Sequence, residues 1–197
     1  MKKVRIFCTF LLMVLVVFAA NCGGGGGEGN VVTRKVSITD PAGDVVAGSK
    51  ADLTAGSVEQ VGDNLKITVH LAPGDFDPLQ SYVGITMDID MNPATGSSAD
   101  MGLIGAEYGI VMGSACLGNK ANILHYNSAT TYWDGVGQYD VTFLADGMEV
   151  TVPTSVLTGY TGKFSFWFES SREIVSCGYT NRRDTMPDIG TPPAVFQ

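Results

Sequence analysis

The sequence from residue 64 to residue 71 reads Asn64-Leu65-Lys66-Ile67-Thr68-Val69-His70-Leu71. Apolar and polar residues alternate throughout this segment, which is the period-two pattern of a strand with one buried face. The segment from Val58 to Val61 precedes it, and the turn-forming residues Gly62, Asp63 and Asn64 connect the two. The two segments are therefore predicted to pair as a β-hairpin.

Similar patterns recur along the rest of the chain. A second hairpin is predicted from residues 139–144 and 148–152, joined at Asp146-Gly147, and Phe164, Phe166 and Phe168 line one face of a further strand. Other strands are expected near residues 36–38, 83–90, 108–112 and 123–126, and one helical turn is expected at 153–157. About eight to ten strands in one domain, residues 33–197, predict an all-β fold. The expected architecture is a two-sheet antiparallel β-sandwich of jelly-roll or immunoglobulin-like type.

Composition supports this fold class and limits the function. The chain has 25 glycines in 197 residues and only 16% charged residues, so it is not a Lys/Glu-rich helical protein. Its formal net charge is −8, which argues against a basic nucleic-acid-binding protein. No nucleic-acid partner is predicted.

The first 21 residues have the features of a secretory signal peptide. Residues 1–5 are basic, and residues 6–20 are apolar or nearly so and end in the small residues Ala19 and Ala20. A spanning helix needs about 20 apolar residues, which is more than this run provides. A cleaved signal peptide over residues 1–21 is therefore expected, with a retained transmembrane anchor as the alternative.

The residues that follow the apolar run are Ala19-Ala20-Asn21-Cys22 and five glycines. This segment resembles the lipobox and flexible tether of bacterial lipoproteins, although Asn21 and Ala19 stand where that family most often has Gly or Ala and Leu. The resemblance implies that Cys22 is acylated after removal of the signal peptide. Residues 22–32 would then be the lipidated cysteine and its tether, and the domain would be exported and held at a membrane by its lipid.

Two cysteines, Cys116 and Cys177, remain in the folded part. In an exported chain a pair of thiols is typical of one disulfide, which we predict here. Two separate thiols are the alternative.

A cluster of acids follows the strand predicted at residues 83–90. If the apolar residues of that strand face the core, Asp88 and Asp90 face the other way, and Glu107 joins them when the next strand pairs antiparallel. Converging carboxylates favour a hard cation, so Asp88, Asp90, Asn92 and Glu107 are predicted ligands of a structural Ca²⁺. The alternative is that these are solvated turn-forming acids without an ion.

Several short motifs carry a family resemblance. They are Asp40-Pro41-Ala42-Gly43-Asp44, Asp52-Leu53, the acidic segment from Asp88 to Gly96, Gly105-Ala106-Glu107-Tyr108, and Asp184 with Pro187-Asp188. Together they resemble the DOMON-like and carbohydrate-binding-module-9-like sandwiches of secreted bacterial proteins. The resemblance implies a jelly-roll-like sandwich that binds sugars, haem or other ligands, often with structural calcium, and does no catalysis.

Aromatic residues are the candidates for ligand contact. Tyr132 and Trp133 fall in a Gly/Asn/Thr-rich region, residues 119–138, which is predicted to form loops, and a flat ring there would suit a sugar. Trp167 alternates with two phenylalanines and is expected on the opposite face of their strand. The alternative is that both tryptophans are packed in the interior.

No catalytic arrangement is evident, so an enzyme is not predicted. Only His70 and His125 are available as imidazole bases, and neither lies in a recognised catalytic motif. The sequence therefore predicts a lipid-anchored, exported, non-catalytic binding module for a ligand such as a glycan. The alternative is a structural or assembly lipoprotein of the cell envelope whose partner is a protein.

Overall fold

The computed structural model describes residues 33–45, 51–98, 104–113, 117–174, 178–188 and 190–197, without the side chains of residues 172–183. The predicted signal peptide and tether, with Cys22, lie outside the described residues. The predicted disulfide partners Cys116 and Cys177 lie outside them as well.

The described chain is all-β, which confirms the predicted fold class. Its eleven strands are β1 Thr33–Thr39, β2 Leu53–Val61, β3 Asn64–Leu71, β4 Ser81–Asp88, β5 Tyr108–Gly113, β6 Lys120–Asn127, β7 Tyr132–Phe143, β8 Gly147–Pro153, β9 Phe164–Ile174, β10 Gly178–Met186 and β11 Ala194–Phe196. The expected helical turn is a single 3-10 turn, Thr154–Val156.

All pairings between neighbouring strands are antiparallel. The hydrogen-bonded order is β1-β2-β3-β8-β7-β6-β5-β4-β9-β10, and β11 also pairs with β9. Both predicted hairpins are confirmed, because Val61 pairs with Asn64 in the first and Phe143 pairs with Met148 in the second. The large antiparallel sheet is thus one continuous path of strands.

The strand predicted near residues 123–126 is confirmed as part of β6, whereas the prediction of loops over residues 119–138 was wrong, because most of this region forms the β6–β7 hairpin. Residues 132–140 of β7 pair with β6, whereas residues 141–143 pair with β8, and β7 therefore connects the two halves of the path. The hairpin turns after Asn127, whose carbonyl accepts the N–H of Thr131 at 2.7 Å. The first five residues of β7 are exposed, and the strand is polar and contains glycine, so it lacks the apolar alternation that would have revealed it.

The core is built from the alternating residues that the sequence predicted. The side chains of Phe164, Phe166 and Phe168 are fully buried within it. Trp167 lies on the opposite face of β9, as expected, and is buried with Ile104 from the segment before β5. The side chain of Trp167 is therefore covered outside the main core.

The two ends of the path of strands approach each other, since β2 contacts both β9 and β10. Gly56 in β2 makes this approach possible. A Cβ atom at Gly56 would lie 2.4 Å from the ring of Phe168 and 2.8 Å from the terminal methyl of Met186. Because these neighbours are themselves fully buried, they have little room to move.

Substituting Gly56→Ala should therefore destabilise the protein, by about 1 to 3 kcal/mol, through overpacking. Gly135→Ala in β7 is the matched control, because nothing lies within 4 Å of a Cβ atom there. Urea unfolding of both variants measures the difference. Equal stability of the two variants would contradict the close packing of β2 against β9 and β10.

Candidate functional site

Three carboxylates meet where β4 ends and β5 begins. Asp88 is the last residue of β4, Asp90 follows it, and Glu107 directly precedes β5. The antiparallel pairing of the two strands places Glu107 beside β4, where its N–H donates to the carbonyl of Met87 at 3.1 Å. One carboxylate oxygen from each acid lies within 4.8 Å of the other two. The predicted convergence of Asp88, Asp90 and Glu107 is therefore confirmed.

Main-chain donors orient these carboxylates. Asp88 is only 1% exposed, and its Oδ1 accepts the N–H of Asn92 at 3.1 Å. The same N–H also lies 2.9 Å from Oδ1 of Asp90. Glu107 Oε2 accepts the N–H of Ile89 at 3.0 Å. These contacts fix the acids without neutralising their charges.

The Thr95 hydroxyl lies at the centre of the oxygen cluster. Its Oγ1 atom is 3.0 Å from Asp90 Oδ2 and 3.1 Å from Glu107 Oε1. It is also 2.8 Å from the main-chain oxygen of Asn92. A hydroxyl has one proton and can donate it to one of these three oxygens, so at least one of Asp90 Oδ2 and Glu107 Oε1 receives no proton from Thr95. A cation of calcium's chemistry would compensate this arrangement.

The pKa shifts of the cluster also favour a bound cation. Burial is the main cause that raises the pKa of Asp88, and it likewise raises the pKa of Glu107. The negative charge of Asp90 raises both pKa values further, whereas the main-chain donors lower them. Ionisation of the cluster at neutral pH therefore costs folding stability unless a cation is bound.

The loop over the cluster depends on two glycines. A Cβ atom at Gly105 would lie 1.8 Å from the Thr95 carbonyl oxygen, and one at Gly96 would lie 2.5 Å from the Ala106 carbonyl oxygen. Gly96 also has a φ of 65°, a conformation that side chains disfavour. Ser97 and Ala106 close the loop through hydrogen bonds of 2.8 and 3.0 Å.

Asn92 contributes to the cluster chiefly through its main chain. Its side-chain Oδ1 accepts the N–H of Ala94 at 3.2 Å, in the local turn that is typical of asparagine. Its main-chain oxygen accepts the N–H of Thr95 and also lies 2.8 Å from the Thr95 hydroxyl. The structure thus places the predicted ligand Asn92 beside the cluster with its amide oxygen already engaged.

The predicted aromatic residues Tyr132 and Trp133 are the first two residues of β7, next to β6. Trp133 pairs across the strands with Tyr126, and their ring centroids are 5.4 Å apart. Trp133 is 37% exposed and Tyr132 is 72% exposed. Of the two tryptophans, Trp167 is therefore buried, with 6% of its surface exposed, whereas Trp133 is not. Because neighbouring residues of a strand point to opposite faces, Tyr132 lies on the other face of β7, and we call Tyr126 and Trp133 the aromatic surface.

The two histidines lie in different surroundings. His70 Nδ1 is 2.9 Å from Asp146 Oδ1, and both side chains are at least a third exposed. The ring of His125 lies 4.8 Å from that of Tyr108, whose hydroxyl accepts the N–H of Thr158. His70 and His125 are in separate strands and have different partners, so the described contacts do not bring the two imidazoles together.

Sequence reasoning missed a second convergence of acids. The structure brings together Asp40, Asp44, Asp52, Asp184 and Asp188. All five lie in the motifs that carried the family resemblance, which was the available indication. Their proximity depends on the approach of β2 to β10, and no periodic pattern in the sequence specifies that approach.

No family model, curated protein or solved structure matches the chain significantly. Within the described residues, no helix has the length and apolar character needed to cross a bilayer.

Substituting Asp88→Asn should remove stabilisation by calcium at this cluster. Asparagine keeps an oxygen for the Asn92 N–H and removes one charge, so the variant should equal or exceed the wild type in stability in a chelator. A calcium site filled at a hundred times its dissociation constant adds about 2.7 kcal/mol, or about 5 to 10 °C in melting temperature. Thermal unfolding with calcium and with chelator measures both effects.

Asp140→Asn is the matched control, because the Asp140 side chain is 90% exposed and pairs with Lys120 away from the cluster. It should keep the full response to calcium. An Asp88→Asn variant with an undiminished calcium response would remove Asp88 from the set of ligands.

Proposed function

We propose that the chain is a lipid-anchored, exported, non-catalytic binding module that recognises an extracytoplasmic ligand such as a glycan. The observation that carries this proposal is the aromatic surface, since Trp133 is 37% exposed and lies beside the ring of Tyr126 on a hydrogen-bonded sheet. Exposed aromatic rings on a rigid scaffold bind sugars at low cost in conformational entropy.

The strand context of these rings supports binding. Asn127 Nδ2 donates to Asp134 Oδ2 at 2.9 Å, and this contact links the two ends of the β6–β7 turn beside the rings. Asn127 and Asp134 lie on the same face of the sheet as Tyr132, which is 72% exposed, and they provide polar groups beside this second exposed ring. A flat ring flanked by polar groups suits the apolar face and the hydroxyl edge of a sugar.

A structural calcium ion at Asp88, Asp90 and Glu107 is part of the proposal. The carboxylates converge, the Thr95 hydroxyl cannot satisfy them, and the loop is shaped tightly around them. The ion would hold the loop between β4 and β5. This loop also supplies Ile104, which covers Trp167.

We also infer that the two halves of the path of strands form the two layers of a sandwich of jelly-roll or immunoglobulin-like type. The apolar residues of β2, β3 and β8 share one core cluster with those of β4, β5 and β9, which supports two layers facing each other. DOMON-like and carbohydrate-binding-module-9-like domains would share this arrangement.

Intrinsic fluorescence tests the binding proposal directly, because the two tryptophans differ in exposure. Adding soluble oligosaccharides prepared from cellulose, xylan, chitin and peptidoglycan should change the emission of Trp133 and protect it from iodide quenching. Trp133→Ala should lower the affinity at least tenfold, because stacking contacts at hot spots contribute about 2 kcal/mol.

Val136→Ala is the control, since Val136 is 46% exposed on the same strand without belonging to the aromatic surface. Binding that is equal in Trp133→Ala and wild type would contradict the role of this ring. If none of the four glycans binds and an envelope protein is retained instead, the chain is a structural or assembly lipoprotein.

The anchor has its own test. In a bacterial host, the full-length chain should incorporate radiolabelled palmitate and sediment with membranes, and Cys22→Ser should lose both properties. Cys8→Ser is the matched control, because Cys8 lies inside the predicted signal peptide and should leave labelling intact. Labelling that persists in Cys22→Ser would contradict lipid attachment at this residue.

A further inference from the structure

The acids that meet near β10 come from distant parts of the sequence. Asp40 and Asp44 follow β1, Asp52 directly precedes β2, Asp184 lies in β10, and Asp188 follows β10. Carboxylate oxygens of Asp44, Asp52 and Asp184 lie within 4.8 Å of one another. Those of Asp40, Asp44 and Asp188 do so as well, so Asp44 belongs to both groups.

Asp52 provides the independent indication of a ligand. Its side chain is 6% exposed, and only one of its two oxygens, Oδ2, accepts a hydrogen bond, from the N–H of Gly43 at 2.7 Å. The other oxygen, Oδ1, is buried and has no hydrogen-bond partner. An unpaired buried carboxylate oxygen is costly, and a protein rarely retains one without a bound proton, cation or donor.

Asp40 shows the same feature at the neighbouring position, because its Oδ2 is also buried without a partner. Asp184 is 7% exposed, and its two oxygens accept the N–H groups of Leu53 at 2.6 Å and Thr185 at 2.9 Å. Each of these oxygens keeps a second lone pair. Asp44 is exposed and adds a further carboxylate to both groups.

None of the ion pairs found among the described side chains involves these five aspartates. The hydrogen bonds found for Asp52 and Asp184 come from main-chain N–H groups, which carry no full positive charge.

We propose that Asp44, Asp52 and Asp184 bind a second calcium ion, which holds the connection between β1 and β2 against β10. Asp40 and Asp188 supply further carboxylate oxygens through the group that they form with Asp44. Calcium accepts six to eight oxygen ligands in flexible geometry, whereas magnesium keeps much of its water and suits fewer carboxylates. The site is separate from the Asp88 cluster and shares no residue with it.

Calcium stoichiometry of the full-length protein in detergent tests the proposal. Equilibrium dialysis with radioactive calcium should find two ions per wild-type chain, one in Asp88→Asn, one in Asp44→Asn and none in the double variant. Asp44 is exposed, so this substitution should leave the fold intact. Asp52→Asn is the second variant, because its amide oxygen can still accept the Gly43 N–H, and it should also lose one ion.

Asp140→Asn serves as the control and should bind as many ions as the wild type. Far-ultraviolet circular dichroism establishes that each variant is folded before it is counted. If the wild type binds one ion and Asp88→Asn loses it, the second site is overturned and the Asp88 site stands. If Asp44→Asn and Asp52→Asn lose the single ion, the second site stands and the Asp88 site is overturned.

If the wild type binds no calcium, both sites are overturned, and the buried carboxylates of the second cluster hold protons instead. Asp44→Asn and Asp52→Asn that bind as many ions as the wild type would also overturn the proposal.

Discussion

A hydrogen bond from the Leu53 N–H to the Asp184 carboxylate joins β2 to β10 across 131 positions of sequence. β2 lies near one end of the path of strands and β10 lies at the other, so this bond and the contact of Gly56 with Phe168 hold the two ends together. The apolar residues of both halves can then share one core. The large entropic cost of closing so long a loop is offset by burial that no single hairpin would provide.

Both acidic clusters follow from the same geometry. In each cluster, a buried aspartate at the end of a strand meets acids from another part of the sequence. Antiparallel strand pairing brings the acids together in the Asp88 cluster, and the approach of β2 to β10 brings them together in the second cluster. Asp88 and Asp52 are each more than nine-tenths buried, and neither forms an ion pair with a described side chain, which is unusual for buried carboxylates. Main-chain N–H groups orient the acids but leave their charge, and calcium is the compensation that we propose for both.

The sequence was sufficient to predict the elements whose burial alternates, which include the first hairpin and the phenylalanine strand. It also predicted that Asp88, Asp90 and Glu107 share a face, because period two and one antiparallel pairing determine their positions. Strands β10 and β11 were not predicted, since residues 178–186 read GYTNRRDTM and lack regular apolar alternation. The second acidic cluster was not predicted because it depends on contacts between the ends of the path, which local patterns do not encode.

The raised pKa values have a consequence that unites the two clusters. A carboxyl whose pKa is higher in the folded than in the unfolded state binds its proton more tightly when the protein is folded. The protonated carboxyl therefore stabilises the fold below about pH 4, and this stabilisation is lost as the pH rises through the folded-state pKa. For Asp184 and Asp40 that loss occurs around pH 6 to 7. Near neutral pH the metal-free domain therefore holds charges that oppose folding, and a bound cation would remove this opposition. Protons and calcium would thus compete for the same oxygens, so acid should weaken calcium binding even where it relieves the repulsion between these acids.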